Sequence, residues 1–250
     1  MALDRFSTQA AQYARYRIDY PAELYAWLLP QVATRERAWD CATGNGQVAA
    51  ALAPHFHEVE ATDLSASQLA QAPALPNVHY QVSAAEHTPF AGASFDLITV
   101  GQAVHWFDEP AWHREVRRVG RPGAVLAEWG YDLCRLETPA LNQVLDTFHD
   151  KTSAPYWDAN RRHITERYAR IPFPFIDVKQ AEFAVRRRWT AADMLGYLRS
   201  WSATANYARQ HGGADMVALV ADELTRLWGS GEREVVFPVF ARAGVVQPLG

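Results

Sequence analysis

"WDCATGNGQVA", Trp39 to Ala49, is the stretch on which the fold turns. An apolar start, two glycines at Gly44 and Gly46, and the small apolar run Val48 to Ala53 read as a strand, a tight turn and a helix. Glycine lets backbone approach a ligand closely, and the helix start offers free N–H groups to an anion. Gly44-x-Gly46-x-x-Ala49 therefore fits the dinucleotide pattern formally, and it fits an ordinary turn as well.

Outward from this turn, short apolar runs alternate with helices. Strands are expected at Ala38–Cys41, Val59–Thr62, Val78–Val82, Phe95–Gly101 and Gly123–Gly130, with helices at Ala66–Ala72 and Pro110–Val119. Such alternation implies a parallel sheet with right-handed crossovers, and the unbroken apolar run "FDLITVG" suits a sheet covered on both faces. Upstream, Ser7–Tyr16 and a segment from Pro21 with Leu24, Trp27 and Leu28 read as helices.

After Tyr131 the rhythm breaks. Pro139–Lys151 and "APYWDANRRHITERYARI" read as helices, the second with an aromatic stripe, and "PFPF" at 172–175 forces an extended stretch. Strands are expected again at Glu182–Trp189 and Arg233–Gly244, with helices at Ala191–Trp201 and Ala214–Trp228 between them. The division expected is one domain over 1–250: an N-terminal helical arm (1–36), a cofactor core (37–130), a cap insertion (131–180) and the remainder of the sheet with its helices (181–250).

The 250 residues, 49% hydrophobic and 21% charged, suffice for one substantial core. A net charge of −4 gives no field to attract phosphate backbones, so nucleic-acid binding is not indicated. Two cysteines are too few for a disulfide framework, the charged N-terminus lacks a signal-peptide pattern, and no stretch reaches membrane-span length; a cytoplasmic protein is expected. Nine histidines include His55-x-His57, but no third ligand stands at matched spacing, so no metal site is assigned.

Asp40 separates the cofactor classes. A carboxylate at the strand end would repel a pyrophosphate and would suit a cofactor carrying an ammonium or sulfonium group, which favours S-adenosylmethionine. Asp63, ending the next strand, suits both hydroxyls of a ribose in either class. With these residues in view, the chain resembles the class I S-adenosylmethionine-dependent methyltransferases. "DCATGNG" is similar to their first motif, with Ala42 where a glycine is usual; "ATDLS" resembles the ribose-binding end, "SAAEHTPF" the adenine segment, and "SFDLITVGQAVHWF" the fourth strand and its loop.

The methyltransferase type 11 or trans-aconitate methyltransferase-like small-molecule branch is nearer still, through "YARYRIDYP", "AVHWFD", the pattern "PYW…RR…RY..IPFPF" and "YLRSWSATANY". Ile18 stands where that branch usually has proline. The resemblance implies a Rossmann-like α/β fold, a seven-stranded mostly parallel sheet with an antiparallel last strand, and a helical cap. It implies S-adenosylmethionine as cofactor, contacted by Arg17, Asp40, Thr43, Gly44, Asn45, Gly46, Asp63, Leu64, Ala84, Ala85, Glu86, Gly101, Gln102 and Ala103.

His105 is the candidate base, alternatively a histidine packed in the core. Tyr13, Trp106, Trp129, Tyr156, Trp157, Arg161 and Trp201 are the candidate acceptor contacts, with core packing as the alternative for the rings. Arg161, Arg162 or Arg17 would suit a carboxylate. Gly101-Gln102-Ala103-Val104 is not the Asn/Asp-Pro-Pro-aromatic motif of enzymes that methylate nucleobase amino groups. The function expected is methyl transfer to a small organic molecule, at a carboxylate or hydroxyl oxygen before nitrogen or sulfur, by a monomer or homodimer. A nicotinamide-dependent oxidoreductase and a non-catalytic cofactor-binding protein are the competing readings.

Overall fold

The computed structural model describes residues 18–247. Helix α1 (Ala22–Leu28) leads into β1 (Arg37–Cys41), α2 (Gln47–Leu52), β2 (Glu58–Asp63), α3 (Ala66–Leu69), β3 (Val78–Val82), β4 (Phe95–Gly101), α4 (Glu109–Val119) and β5 (Gly120–Tyr131). These five strands are the expected ones, and β1 to β5 pair in parallel in the order β3-β2-β1-β4-β5. All seven residues of β4 are buried, as its unbroken apolar run required.

Beyond β5 come the two-residue strand β6 (Arg135–Leu136), α5 (Pro139–Thr147), a π-helical turn at Phe148–Thr152, α6 (Arg162–Thr165) and β7 (Ile176–Trp189). Then α7 (Ala191–Arg199), α8 (Ser202–Gln210) and α9 (Ala218–Trp228) precede β8 (Arg233–Val245). The last strand is antiparallel to β5 on one edge and to β7 on the other, while β6 continues β5's side of it. The sheet thus has seven long strands plus the short β6.

The 154–171 segment is not the single helix that its spacing predicts. It breaks into 3-10 turns at Ala154–Tyr156 and Ala159–Arg161 and the four-residue α6, and Arg167 and Tyr168 adopt left-handed backbone (φ 51° and 60°). Tertiary anchoring explains the break: Tyr168 is fully buried, and the Arg242 guanidinium donates to the carbonyls of Tyr168 (3.1 Å) and Ile171 (2.9 Å). β7 is longer than expected, and α9 begins at Ala218 rather than Ala214.

Strand alternation divides the core between the two faces of the sheet. Ala38, Leu97 and Val125 face one cluster with Leu24, Leu28 and Leu52; Trp39, Ile98 and Leu126 face the other with Trp112, Val116 and Phe95. Trp39 is fully buried, its Nε1–H donating to Thr62 Oγ1 at 2.9 Å, and its ring meets Trp112 at 5.4 Å. The arginine run on β7 is spent on surface ion pairs, Arg186 with Glu234 and Arg187 with Asp19. Among the described residues no helix is long and apolar enough to cross a membrane, and no three His, Cys, Asp or Glu side chains are grouped to hold a metal ion.

Candidate active site

The carboxyl ends of β1, β2, β4 and β5 converge where open α/β sheets place ligands. The turn after β1 carries three left-handed residues, Ala42 (φ 54°), Gly44 (φ 59°) and Gly46 (φ 82°). A Cβ on Gly46 would lie 2.7 Å from Tyr80 Oη and 3.0 Å from Ala72 Cβ, so both φ and space demand glycine there. Ala42, in the family's glycine position, holds that strained conformation with a side chain. Ala42→Gly is therefore expected to stabilise the fold by about 1 kcal/mol, partly offset by the freer unfolded chain. An unchanged or lower denaturation midpoint would contradict it.

Asp40 is buried and accepts from Thr43 Oγ1 (2.5 Å) and Thr99 Oγ1 (2.9 Å), which aligns β1, its turn and β4. Its charge, second to burial, pushes the Tyr25 phenol well above the ordinary range. Asp63 accepts the Gly44 N–H (2.9 Å) on one oxygen and the Ser65 N–H (2.8 Å) on the other. The sequence points to a ribose contact at Asp63; the structure adds that it fastens the glycine turn. Each carboxylate oxygen keeps a second lone pair.

Leu64 beside it is 42% exposed, a large apolar side chain left on the surface next to that carboxylate. Ala84 bridges His87, Ala85 is buried, and the Glu86 carboxylate accepts the Asp108 N–H at 3.0 Å, ahead of α4. The 86–92 loop is held by buried Glu115, which accepts from Thr88 N–H (2.8 Å) and Thr88 Oγ1 and pairs with Arg118. Gln102, placed by sequence on the cofactor, has left-handed backbone (φ 59°), and its side-chain amide is engaged elsewhere. Its Oε1 accepts the Tyr131 N–H (2.7 Å) and its Nε2 donates to the Tyr131 carbonyl (3.2 Å), joining the ends of β4 and β5.

Gly101 allows β4 to pass Trp129, whose indole nitrogen would lie 3.1 Å from a Cβ. Ala103 packs at the edge of the core below. Arg17 and Tyr13 lie outside the described residues.

His105 and Trp106 sit in a 3-10 turn after β4 and line a cavity of about 130 Å³ with Gln102, Tyr131, Trp157, Arg161, Tyr197 and Trp201. Sequence reading named His105, Trp106, Arg161, Trp157 and Trp201 for this region. It missed Tyr131, Tyr197, Asn206 and Arg209, which also form the wall. "YLRSWSATANY" was the available signal for two of these, Tyr197 and Asn206, and its helical spacing alone did not say which face looks inward. Two candidate acceptor residues stand off the wall: Trp129 is fully buried beneath it, and Tyr156 packs on Tyr207 at 5.0 Å.

Burial first, then the charges of Arg161 and His163, pushes the His105 imidazole down to about 3. Buried His113 falls to about 4 through burial, Arg117 and Arg242. Both are neutral in the folded protein at pH 7. Unfolded histidines take a proton near 6.5, so stability falls as pH drops from 6.5 toward 3 to 4. Each histidine costs about 1.4 kcal/mol per pH unit in that window. A flat denaturation midpoint between pH 6.5 and 5 would contradict the burial of neutral imidazoles.

The methyltransferase domain family model matches residues 39–127, from the first buried strand into β5. A solved protein of Anaeromyxobacter dehalogenans, assigned as a type II methyltransferase, is 37% identical. It covers 93% of this chain and 99% of its own, with a TM-score of 0.83. The chain belongs to the class I S-adenosylmethionine-dependent methyltransferases.

A Dictyostelium discoideum protein named as a methyltransferase is 29% identical to this methyltransferase over 95% of the chain and 93% of its own length. Phosphoethanolamine N-methyltransferase 2 of Haemonchus contortus, solved with phosphomonomethylethanolamine and S-adenosylhomocysteine, is 19% identical and shares the fold. Its TM-score is 0.50, over 97% of this chain and 58% of that one. Family membership sets aside the oxidoreductase reading and implies S-adenosylmethionine as the methyl donor. This methyltransferase has residues that fit such a nucleoside: Asp63 keeps lone pairs for two hydroxyls, and the Asn45 Oδ1 and Tyr80 Oη beside Gly46 are buried without partners among the described residues.

Proposed function

We propose that this enzyme methylates an oxygen of a small organic molecule. Asp63 holds the ribose, Asp40 and the Thr43–Gly46 turn with Arg17 take the methionyl end, and Leu64, Ala84, Ala85 and Glu86 border the adenine. Gly101, Gln102 and Ala103 join that groove to the acceptor. The observation that carries this reading is the ring-walled cavity of about 130 Å³ beside His105, too small for a polymer and suited to one compact acceptor. When bound, S-adenosylmethionine supplies an electrophilic methyl group on a sulfonium. The protein's share is to orient the acceptor oxygen and exclude water, which Trp157, Trp201, Tyr131 and Tyr197 do as a lid of rings.

The net charge of −4 and the paired surface arginines support a small-molecule acceptor over nucleic acid. The test is release of S-adenosylhomocysteine against a panel of small carboxylic acids, phenols and amines, with tRNA alongside. Turnover on oxygen nucleophiles is expected. Turnover confined to amines or to tRNA would overturn the reading.

A further inference from the structure

Arg161 and His105 line the acceptor cavity, and one polar atom of each, Arg161 Nη1 and His105 Nδ1, is buried and bonded to nothing among the described residues. Buried polar atoms are normally satisfied, and a guanidinium N–H left without an acceptor is among the costlier exceptions. Asp132 Oδ1 lies 3.9 Å from Arg161 Nη2, too far for a hydrogen bond, so it balances charge without filling the fork. The guanidinium lies over the Trp157 ring at 5.2 Å, and that stacking holds its plane. Arg161 and Arg209 outnumber Asp158 among the charged wall residues. A planar guanidinium with open donors matches a planar anion.

The space sets the size. A cavity of about 150 Å³ takes one benzene ring, and this one, walled by rings, is about 130 Å³ and open at one side. A carboxylate engaged by a guanidinium has its lone pairs in hydrogen bonds and is a poor nucleophile. A hydroxyl needs its proton removed, and the neutral His105 imidazole on the cavity wall is placed to take it.

Resting on the O-methylation reading above, we infer that the acceptor is a single-ring aromatic hydroxy acid. Its carboxylate is held by Arg161, and its hydroxyl, at the His105 end, is the group methylated. The acceptor oxygen gains the methyl carbon, the carbon–sulfur bond breaks with its electron pair left on sulfur, and the hydroxyl proton passes to the His105 imidazole. Arg161 is also the leading charge that lowers His105 basicity after burial, so an anion on Arg161 restores part of it. The acceptor thus sharpens its own base.

The test uses the full chain saturated with S-adenosylhomocysteine, titrated calorimetrically with the three monohydroxybenzoates and their methyl esters. At least one acid is expected to bind about 30-fold tighter than its ester. Arg161→Gln should erase that difference while leaving S-adenosylhomocysteine affinity unchanged, which also reports an intact fold; Arg161→Lys should restore only part of it, lacking the planar fork. With S-adenosylmethionine, the product should be a methoxybenzoate. Equal binding of acid and ester, no binding of any acid, an unaffected Arg161→Gln variant, or a methyl ester product would each overturn the inference. Turnover of neutral phenols with the acids refused sinks this inference alone, whereas a wild-type chain that methylates no small oxygen nucleophile sinks the parent reading with it.

Discussion

Arg242→Met is expected to destabilise the protein by about 3–5 kcal/mol, because it strands a buried carboxylate. Glu128 is fully buried in β5; its Oε2 accepts from Arg242 Nε (3.0 Å) and Nη2 (2.7 Å), and its Oε1 from Trp112 Nε1 (3.1 Å). Burial pushes the Glu128 carboxyl up even with Arg242 beside it, so without Arg242 the group is driven toward its protonated form. For a chain of this length the loss corresponds to a fall in Tm on the order of 10 °C. The double variant Glu128→Leu with Arg242→Met should be less damaged than Arg242→Met alone, since no unpaired charge remains.

That rescue should be incomplete. Arg242 Nη1 also holds the Tyr168 and Ile171 carbonyls, and its guanidinium lies 4.5 Å from the Phe173 ring centre. Amide exchange is accordingly expected to quicken across 168–173 in both variants. A double variant no more stable than Arg242→Met would show that the pair itself is not the source of the loss.

Asp63→Ala is expected to weaken S-adenosylhomocysteine binding by about 10²- to 10⁴-fold. Two charge-assisted hydrogen bonds to ribose hydroxyls contribute roughly 1.5–3 kcal/mol each when no water replaces them well. The same change removes the acceptor of the Gly44 and Ser65 N–H groups, so the glycine turn loses its tether to β2. Because the side chain is partly exposed, water can serve those two donors, and the stability cost should stay near 1 kcal/mol. Titration calorimetry paired with a denaturation curve separates the two effects. Unchanged affinity in a folded Asp63→Ala protein would remove Asp63 from the cofactor site.

Much of the strand-end groove proposed for the cofactor was legible from local pattern. The strand–turn–helix at Trp39–Ala49, Asp40, Asp63 and the β4 loop lie at strand ends in one parallel sheet, and a parallel sheet brings consecutive strand ends to one edge. Ala42 shows how far that legibility extends: its departure from glycine was visible in sequence, and its left-handed backbone is what the turn imposes. Gln102 marks the limit. Its position was readable, but the partner of its amide, Tyr131, depends on how β5 ends 29 residues later.

By itself the sequence determined the alternation of strand and helix, the parallel core, the glycine turn and the carboxylates at the ends of β1 and β2, because each is written in contacts within a few residues or in a period of two. Only the tertiary structure decided the ring-walled cavity proposed for the acceptor, since His105, Arg161 and Trp201 come from three separated segments. It also decided the shape of the cap. Residues 154–171 have helical spacing, but the Arg242 contacts to Tyr168 and Ile171, made across more than seventy residues, hold a broken chain there. Local propensity yields where a buried charge pair and its carbonyl partners must all be satisfied at once.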